Sequence, residues 1–341
     1  MTNRLELNWK VDGFVDEQRY YCSETPIDIE NLPVPKAIFA GDVRTHIDSD
    51  CVAGKKYYLR IGAVKNNLEK MSDEKSMLFG KEWTPQNLSI AAKVWLDDTT
   101  IVASGSVATN WNNINTGANI NFSQATQSYR PSLISNAING KNALRFDGVD
   151  DYLISSTTEA GALFRNVNGA FILCIMKKIS TPSELGWVFS APISTGDGVR
   201  VSTRFDADGR FSSGTRRLDT DAGNVIYDTI NTGQYLISGI DINYTGNTQA
   251  IYKNATLSSS GVISASGGNS ADSQGYNNRL TIGARTLLTG RTNVEIACLI
   301  VCSYAVTNTD RQKLEGWAAH KYGLTQNLPA DHPYKILVPT I

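Results

Sequence analysis

The sequence predicts an all-β protein that forms two sandwich modules and carries one helix near its end. Short apolar or alternating runs, many of them β-branched or aromatic, recur along the 341 residues. Clusters of Gly, Asn, Asp and Ser separate these runs. Short strands at this spacing, with turn residues between them, are typical of β-sandwiches. Residues 309–323 instead repeat their apolar positions with helical spacing.

Composition excludes several classes of protein. Hydrophobic residues make up 41% of the chain, which is enough for a sizeable core, and 341 residues predict about two domains. The net charge of −1 gives no basic surplus for binding nucleic acid through its phosphates. No run approaches the roughly 18 apolar residues of a membrane-spanning helix, so we expect no membrane insertion. The N-terminal segment lacks the apolar core of a signal peptide, and we expect synthesis without Sec-dependent export.

The five cysteines do not form a disulfide framework, because their number is odd and they are scattered along the chain. Cys298 and Cys302 would share one face of a strand, and we interpret them as small buried thiols. A metal site built on them is not expected, because the chain has only three histidines.

Residues 1–80 predict a small β module. Leu5, Leu7 and Trp9 alternate along a first strand, and residues 53–64 combine a Gly turn, two tyrosines and an alternating strand that ends in Ala-Val. This pattern resembles the tyrosine-corner strand of a fibronectin type III module. In that family a tryptophan near the start is buried, which implies that Trp9 is a core residue. The resemblance implies a module for attachment or assembly.

The first module has too few residues before Trp9 for the family's first strand. A missing strand leaves an unpaired sheet edge, which soluble proteins normally cover. The hypothesis that follows is that another chain, or a later segment of this one, covers the edge beside residues 5–9.

Residues 81–335 predict the larger module, with 336–341 as a tail. Thr84 and Pro85 favour a short helical turn at its start. Asp208-Gly209 predicts a tight hairpin turn, with calcium binding by Asp206 and Asp208 as the less favoured alternative. The terminal helix is expected to begin with Thr309 as its cap and to end at Gly323.

The segment Phe-Asp-Gly-Val-Asp-Asp-Tyr-Leu at residues 146–153, followed much later by the helix 312–324, resembles the laminin-G-like jelly roll of the concanavalin A-like lectin/glucanase class. It is most similar to the version found in bacteriophage tail and virion proteins and in bacterial surface proteins. Asp147 and Gly148 are expected to form a turn, and Asp150 and Asp151 to bond to nearby backbone amides. Some family members bind calcium at this rim, so Asp147, Asp150 and Asp151 are candidate calcium ligands; no other cofactor is expected.

Core or edge packing is the favoured interpretation for the aromatic residues of the chain. Because sugars stack on aromatic rings, four aromatic residues in predicted loops are candidate ligand contacts as the alternative. They are Trp111, Tyr129, Trp187 and Tyr276.

Catalysis is not expected. Glycosidases of this class need two carboxylates that flank the sugar bond, and no glutamate after residue 80 has a carboxylate two or four residues away. Asp219 and Asp221 fall in a predicted loop, and His320 on the predicted helix is interpreted as an interface residue. No nucleophile elbow or phosphate loop is present.

Together, the resemblances imply a non-enzymatic structural protein of a bacteriophage virion, as a component of the tail, tail fibre or baseplate. The jelly roll would contact a host-surface glycan or a neighbouring subunit. Other virion subunits, or copies of the same chain, are the expected partners, and assembly would follow synthesis in the host cytoplasm. The alternatives are a carbohydrate-binding adhesin module of a bacterium and, less favoured, a polysaccharide-degrading enzyme.

Overall fold

The computed structural model describes residues 4–118, 120–155, 160–194, 198–273, 275, 279–285 and 287–341. The chain divides into two compact units, residues 1–83 together with 336–341, and residues 84–335. The described elements are almost all β-strands, with one α-helix among them. The prediction of an all-β protein with a C-terminal helix is therefore confirmed.

The first unit contains two facing sheets. Its described strands are β1 (Leu5–Asn8), β2 (Glu17–Ser23), β3 (Ala37–Ala40), β4 (Thr45–Asp48), β5 (Lys56–Lys65), β6 (Leu68–Met71) and β7 (Lys75–Leu78). β1 pairs with β4, while the larger sheet has the order β3-β2-β5-β6, with β7 also on β5. Tyr20 and Tyr57 are buried between the sheets. The Tyr57 hydroxyl accepts a hydrogen bond from the Val52 amide at 2.9 Å, the type of contact that defines a tyrosine corner.

Trp9 is only half-buried, so the prediction that it is a core tryptophan is wrong. Its indole Nε1 donates to Gln18 Oε1 at 2.6 Å, and its ring centroid lies 5.7 Å from that of Phe39. The physical reason is that a sheet of two strands covers only part of the larger sheet. Trp9 therefore lies where the core opens to solvent.

Residues 336–341 return to the first unit, but they do not cover β1. The Trp83 amide donates to the Pro339 carbonyl at 2.8 Å, and the Ile341 amide donates to the Lys81 carbonyl at 3.1 Å. Within the described residues β1 pairs with β4 alone. The hypothesis of a covering segment is therefore wrong for this tail, whereas coverage by another chain stays a prediction.

The second unit is a large antiparallel sandwich. Its first strands are β8 (Val94–Leu96), β9 (Ile101–Ser104), β10 (Val107–Trp111), β11 (Phe122–Ser123), β12 (Ser132–Ile138), β13 (Lys141–Asp147), β14 (Leu153–Ser155), β15 (Gly169–Lys178) and β16 (Gly186–Pro192). The remaining strands are β17 (Val199–Phe205), β18 (Arg210–Thr215), β19 (Asn224–Thr229), β20 (Tyr235–Asn243), β21 (Thr248–Lys253), β22 (Thr256–Val262), β23 (Thr281–Ile282) and β24 (Asn293–Cys302). The helix α1 spans Asn308–Tyr322.

Two runs of pairing define the layers. Sheet I has the order β13-β24-β15-β20-β21-β22, and β8 also pairs with β24. Sheet II has the order β14-β23-β16-β17-β18-β19. Strands β9 to β12 connect the two sheets at one side. Phe146, Phe189 and Phe211 are among the buried residues that fill the space between them.

β15 is buried on both faces. Ile172, Cys174 and Met176 belong to the core between the sheets. Leu173 and Ile175 are equally buried but lie outside that core, and alternation along a strand directs them to the opposite face, where α1 packs. This double coverage explains the continuous apolar run at residues 171–176.

The helix buries the predicted apolar stripe. Leu314, Trp317 and Ala318 are all buried, and the Trp317 ring meets Trp95 edge-on with centroids 5.5 Å apart. The Tyr322 hydroxyl donates to the Ala297 carbonyl of β24 at 3.1 Å. No helix in the described part of the chain combines the length and apolarity that crossing a bilayer requires.

The helix begins two residues earlier than predicted. Thr307 has extended backbone angles, and its Oγ accepts a hydrogen bond from the Asp310 amide at 3.1 Å, whereas Thr309 already lies inside the helix. Gly323 ends the helix at φ 65°, as predicted.

The two other predicted turns are present. Pro85–Asn87 form a single 3-10 turn after Thr84. Gly209 lies at φ 85° in the hairpin between β17 and β18.

Replacing Thr307 by Ala should destabilise the second unit by about 1 kcal/mol, because the Asp310 amide loses its capping oxygen. The matched change Thr309→Ala should leave stability within about 0.5 kcal/mol, since this exposed side chain caps nothing. Urea denaturation of the full chain measures both. Equal effects of the two variants would contradict the capping assignment.

Candidate functional site

The predicted acidic turn gathers three carboxylates at the end of β13. The Asp147 Oδ1 accepts hydrogen bonds from the amides of Val149 at 2.7 Å and Asp150 at 3.3 Å. The Asp151 Oδ2 accepts from the Asp147 amide at 3.0 Å. One oxygen from each of Asp147, Asp150 and Asp151 lies within 4.8 Å of the others. The predicted backbone bond is thus present at Asp151, whereas the other carboxylate that accepts from amides is that of Asp147 and not of Asp150. The turn also brings the three candidate calcium ligands together.

Burial sets the electrostatics of this turn. The Asp151 side chain is removed from water, and this desolvation raises its pKa to about 7, with the charges of Asp147 and Asp150 adding to the rise. Arg291 acts in the opposite direction. Clustered carboxylate oxygens suit calcium, but calcium takes about six to eight oxygens and two of these carboxylates already serve backbone amides. Calcium binding therefore stays a prediction.

An exposed aromatic residue lies against the turn. Tyr129 is 38% exposed, and its ring centroid is 5.8 Å from that of Tyr152. The Tyr152 amide donates to the Tyr129 carbonyl at 3.1 Å. The guanidinium carbon of Arg291 lies 4.4 Å from the Tyr152 ring centroid, a cation–π distance. We refer to these residues as the rim cluster: Tyr129, Asp147, Asp150, Asp151, Tyr152 and Arg291.

Trp187 is not the exposed contact that the sequence predicts. The side chain is only 6% exposed, and the guanidinium groups of Arg204 and Arg285 lie 5.5 and 5.6 Å from its ring. Its amide donates to the Gly290 carbonyl at 3.0 Å, next to Arg291. Trp187 therefore supports the loop that carries Arg291, and its ring is covered by two arginines.

Trp111 is also wrong as a ligand contact. The side chain is fully buried in the core, and its indole Nε1 donates to the Asp97 carbonyl at 2.8 Å. The reason is that β10 carries this ring inward beneath β8 and β9. Tyr276 lies outside the described residues.

Two members of the rim cluster escaped the sequence analysis. Tyr152 directly follows the acidic turn in the sequence but is not among the candidate contact residues predicted there. Arg291 is remote in sequence and reaches the turn because β24 pairs with β13, with Asn293 opposite Asp147. No local pattern marks this arginine, since only the strand register brings it to the rim.

The other acidic and histidine candidates have structural partners. The predicted loop is present between β18 and β19, where Asp219 pairs with Arg200 and accepts a hydrogen bond from Ser273 Oγ at 2.7 Å. His320 Nε2 lies 3.0 Å from the Tyr334 carbonyl, as expected for an interface histidine. Further ion pairs neutralise buried carboxylates: Asp97 with Lys321, Glu295 with Lys177 and Glu315 with Arg311.

A second cluster lies in the first unit, where Cys22, Asp48 and Cys51 approach one another within 4.8 Å. The Lys36 ammonium already binds both carboxylate oxygens of Asp48, at 2.7 and 2.8 Å. Burial raises the pKa of Cys51 to about 12, so its thiol is protonated at neutral pH. The carboxylate of this cluster thus already has a cationic partner within the first unit.

No protein-family model matches the chain, and no curated protein matches its sequence. Among solved structures the chain is similar to the botulinum neurotoxin serotype D binding domain, at 12% identity and a TM-score of 0.46, covering 66% of this chain and 50% of that one. It is also similar to Trypanosoma rangeli sialidase in complex with sialic acid, at 10% identity and a TM-score of 0.44, covering 76% and 42%. The chain thus spans about half or less of these structures. At TM-scores below 0.5 the similarities carry no weight, and the fold rests on the strand pairings described above.

The buried Asp151 should make stability depend on pH. Its pKa of about 7 in the folded state exceeds the roughly 3.9 of an unfolded aspartate, so the folded state binds the proton more tightly. Ionisation of Asp151 therefore lowers stability as the pH rises from about 4 to about 7 and has no further effect above that range. The variant Asp151→Asn, which keeps an acceptor for the Asp147 amide, should gain stability relative to the parent over this range.

Thermal denaturation of both proteins between pH 4 and pH 8 measures the difference. A difference in melting temperature that stays constant across the range would contradict the assigned burial effect. Asp150→Asn is the control, and it should reduce the pH dependence only in part, because it removes one neighbouring charge and leaves Asp151 buried.

Proposed function

We propose that this chain is a non-enzymatic structural protein of a bacteriophage virion, a part of the tail, tail fibre or baseplate. Its sandwich unit presents the rim cluster to a glycan on the host surface. The observation that supports the contact most directly is the exposed Tyr129 ring, whose centroid lies 5.8 Å from that of Tyr152; Tyr152 directly follows the acidic turn and lies 4.4 Å from the Arg291 guanidinium.

The chemistry of the rim cluster suits a sugar. An exposed tyrosine face stacks on the apolar face of a pyranose ring, and charged groups at the edge bond to its hydroxyls. Asp150 offers an acceptor, and Arg291 offers donors close to the same ring. The backbone bond between Tyr152 and Tyr129 fixes the distance between the aromatic and acidic parts of the cluster.

The same carboxylates are poorly arranged for hydrolysis. A glycosidase places its acid and its nucleophile or base on the two sides of the scissile bond. Asp147, Asp150 and Asp151 all come from one turn, and Asp147 and Asp151 bond to the amides of that turn. This arrangement favours contact over turnover.

The virion assignment is supported by the order of the two modules along the chain and by the sequence resemblance at residues 146–153. A bacterial adhesin would use the same contact chemistry, so the location of the protein must be tested separately from its binding.

A glycan array probed with the full chain tests the contact. Binding to at least one bacterial surface glycan is expected, and Tyr129→Ala should weaken it by about tenfold, since stacking is worth about 1–2 kcal/mol. Tyr227→Ala is a matched control, because Tyr227 is 37% exposed and lies on β19, away from the rim cluster. The array is repeated with calcium and with a chelator.

Equal losses from both tyrosine variants, or binding unaffected by Tyr129→Ala, would contradict the rim cluster as the contact. Cleavage of a bound glycan would overturn the non-enzymatic assignment. If calcium strengthens glycan binding by the parent protein but not by Asp150→Asn, the ion binds at the acidic turn.

The location is tested with antibodies raised against the chain. They should label purified phage particles from cells that produce the protein, at a site on the tail. Recovery of the protein only from the bacterial surface would contradict the virion role and favour an adhesin.

A further inference from the structure

The first unit has an open groove where its smaller sheet ends. The groove has a volume of about 940 Å³. One wall comes from residues 7–15, which include the end of β1 and the segment after it, and the other comes from β5, β6 and the turn that follows. The groove lies wholly within residues 7–75 of the first unit.

The walls of this groove are largely apolar. Leu7 and Trp9 line one side, and Leu59, Ile61 and Ala63 line the other. Two apolar side chains at its border are strongly exposed, Phe14 at 92% and Leu68 at 78%. A contiguous exposed apolar surface usually marks an interaction site, whereas single exposed apolar residues are common on any protein.

A strand edge with unpaired backbone groups adjoins the groove. β1 pairs with β4 from Leu5 opposite Asp48 to Asn8 opposite Thr45, and its other edge has no strand partner in the described part of the chain. Leu7 and Asn8 of β1 also line the groove. Unpaired N–H and C=O groups beside an apolar trough form a template for one more antiparallel or parallel strand.

The charged side chains around the groove indicate which kind of partner would bind in it. The lining contains more basic than acidic side chains, namely Lys10, Arg60, Lys65, Lys70 and Lys75 against Asp12 and Asp73. Arg60 lies 3.7 Å from Glu74 and is partly neutralised. Lys65, Lys70 and Lys75 are exposed and form no ion pair within the described residues. The border of the groove is therefore cationic.

We propose that the groove binds an extended strand of a partner protein, which pairs with β1 and completes the smaller sheet. Alternate side chains of this strand are apolar and enter the groove, because successive residues of a strand point to opposite faces. The intervening side chains of this strand point out of the groove and carry carboxylates, which the long, exposed side chains of Lys65, Lys70 and Lys75 reach at the border. This inference does not depend on the glycan contact, which lies in the other unit.

Synthetic peptides test the proposal on the full chain. One peptide alternates Val with Glu, a second alternates Val with Lys, and a third has the first composition in an order without alternation. Calorimetry should show binding of the Val-Glu peptide, about tenfold or more tighter than either of the others at low salt, and weakening as salt is added. Hydrogen exchange should show new protection at residues 5–8.

Charge reversal separates recognition from general stickiness. The double variant Lys65→Glu with Lys70→Glu should lose about tenfold in affinity for the Val-Glu peptide and gain affinity for the Val-Lys peptide. Lys93→Glu, an exposed position in the second unit, is the control and should change neither affinity. Both altered lysines of the double variant are exposed, so folding should be retained.

Three results would overturn the proposal. Equal binding of the three peptides, or binding without protection of residues 5–8, would remove β1 as the docking edge. Protection, in the isolated monomer, of the β1 amides that do not bond to β4 would mean that the chain covers its own edge. Protection that grows with protein concentration, together with dimers in light scattering, would make a second copy the occupant.

Discussion

The burial of the β24–β15 pair on both faces is the constraint on which the second unit depends. Eight register pairs join these strands, and nearly every side chain along them is buried. A strand pair of this kind is stable only when apolar layers cover it from both sides. Sheet II covers one face and α1 covers the other, with Tyr322 bonded to the β24 backbone. The helix therefore covers the outer face of sheet I at β15 and β20.

The rim cluster depends on the register of the second pairing of β24, the one with β13. β24 pairs with β13 so that Asn293 faces Asp147, and Arg291 therefore reaches Tyr152 and the acidic turn. Trp187 holds the loop of Arg291 from beneath, through its bond to Gly290. Strand register and main-chain contacts thus gather an arginine, a buried carboxyl with a raised pKa and an exposed tyrosine at one rim.

The two units differ in how completely their sheets cover the core. The second unit closes its layers with connecting strands and a helix. In the first unit, only the two strands β1 and β4 cover the larger sheet. Trp9 is therefore half-buried, and the border of the core stays open. The returning residues 336–341 complete the segment at Lys81–Trp83 instead of this border. An incomplete sandwich with a cationic border is the feature that distinguishes this unit from the second.

The sequence by itself determined the features that depend on local chemistry. The alternating runs predicted the strands, and Asp208-Gly209 predicted a hairpin. Gly323 marked the helix end, and Asp147-Gly148 predicted a turn with Asp151 bonded to a backbone amide. Tertiary structure alone decided the burial of Trp111 and Trp187, the choice of Thr307 over Thr309 as the cap and the approach of Arg291 to the turn. These depend on which distant strands pair and on the backbone angles at each residue. No local pattern of side chains encodes such long-range registers, because they follow from the packing of the whole core.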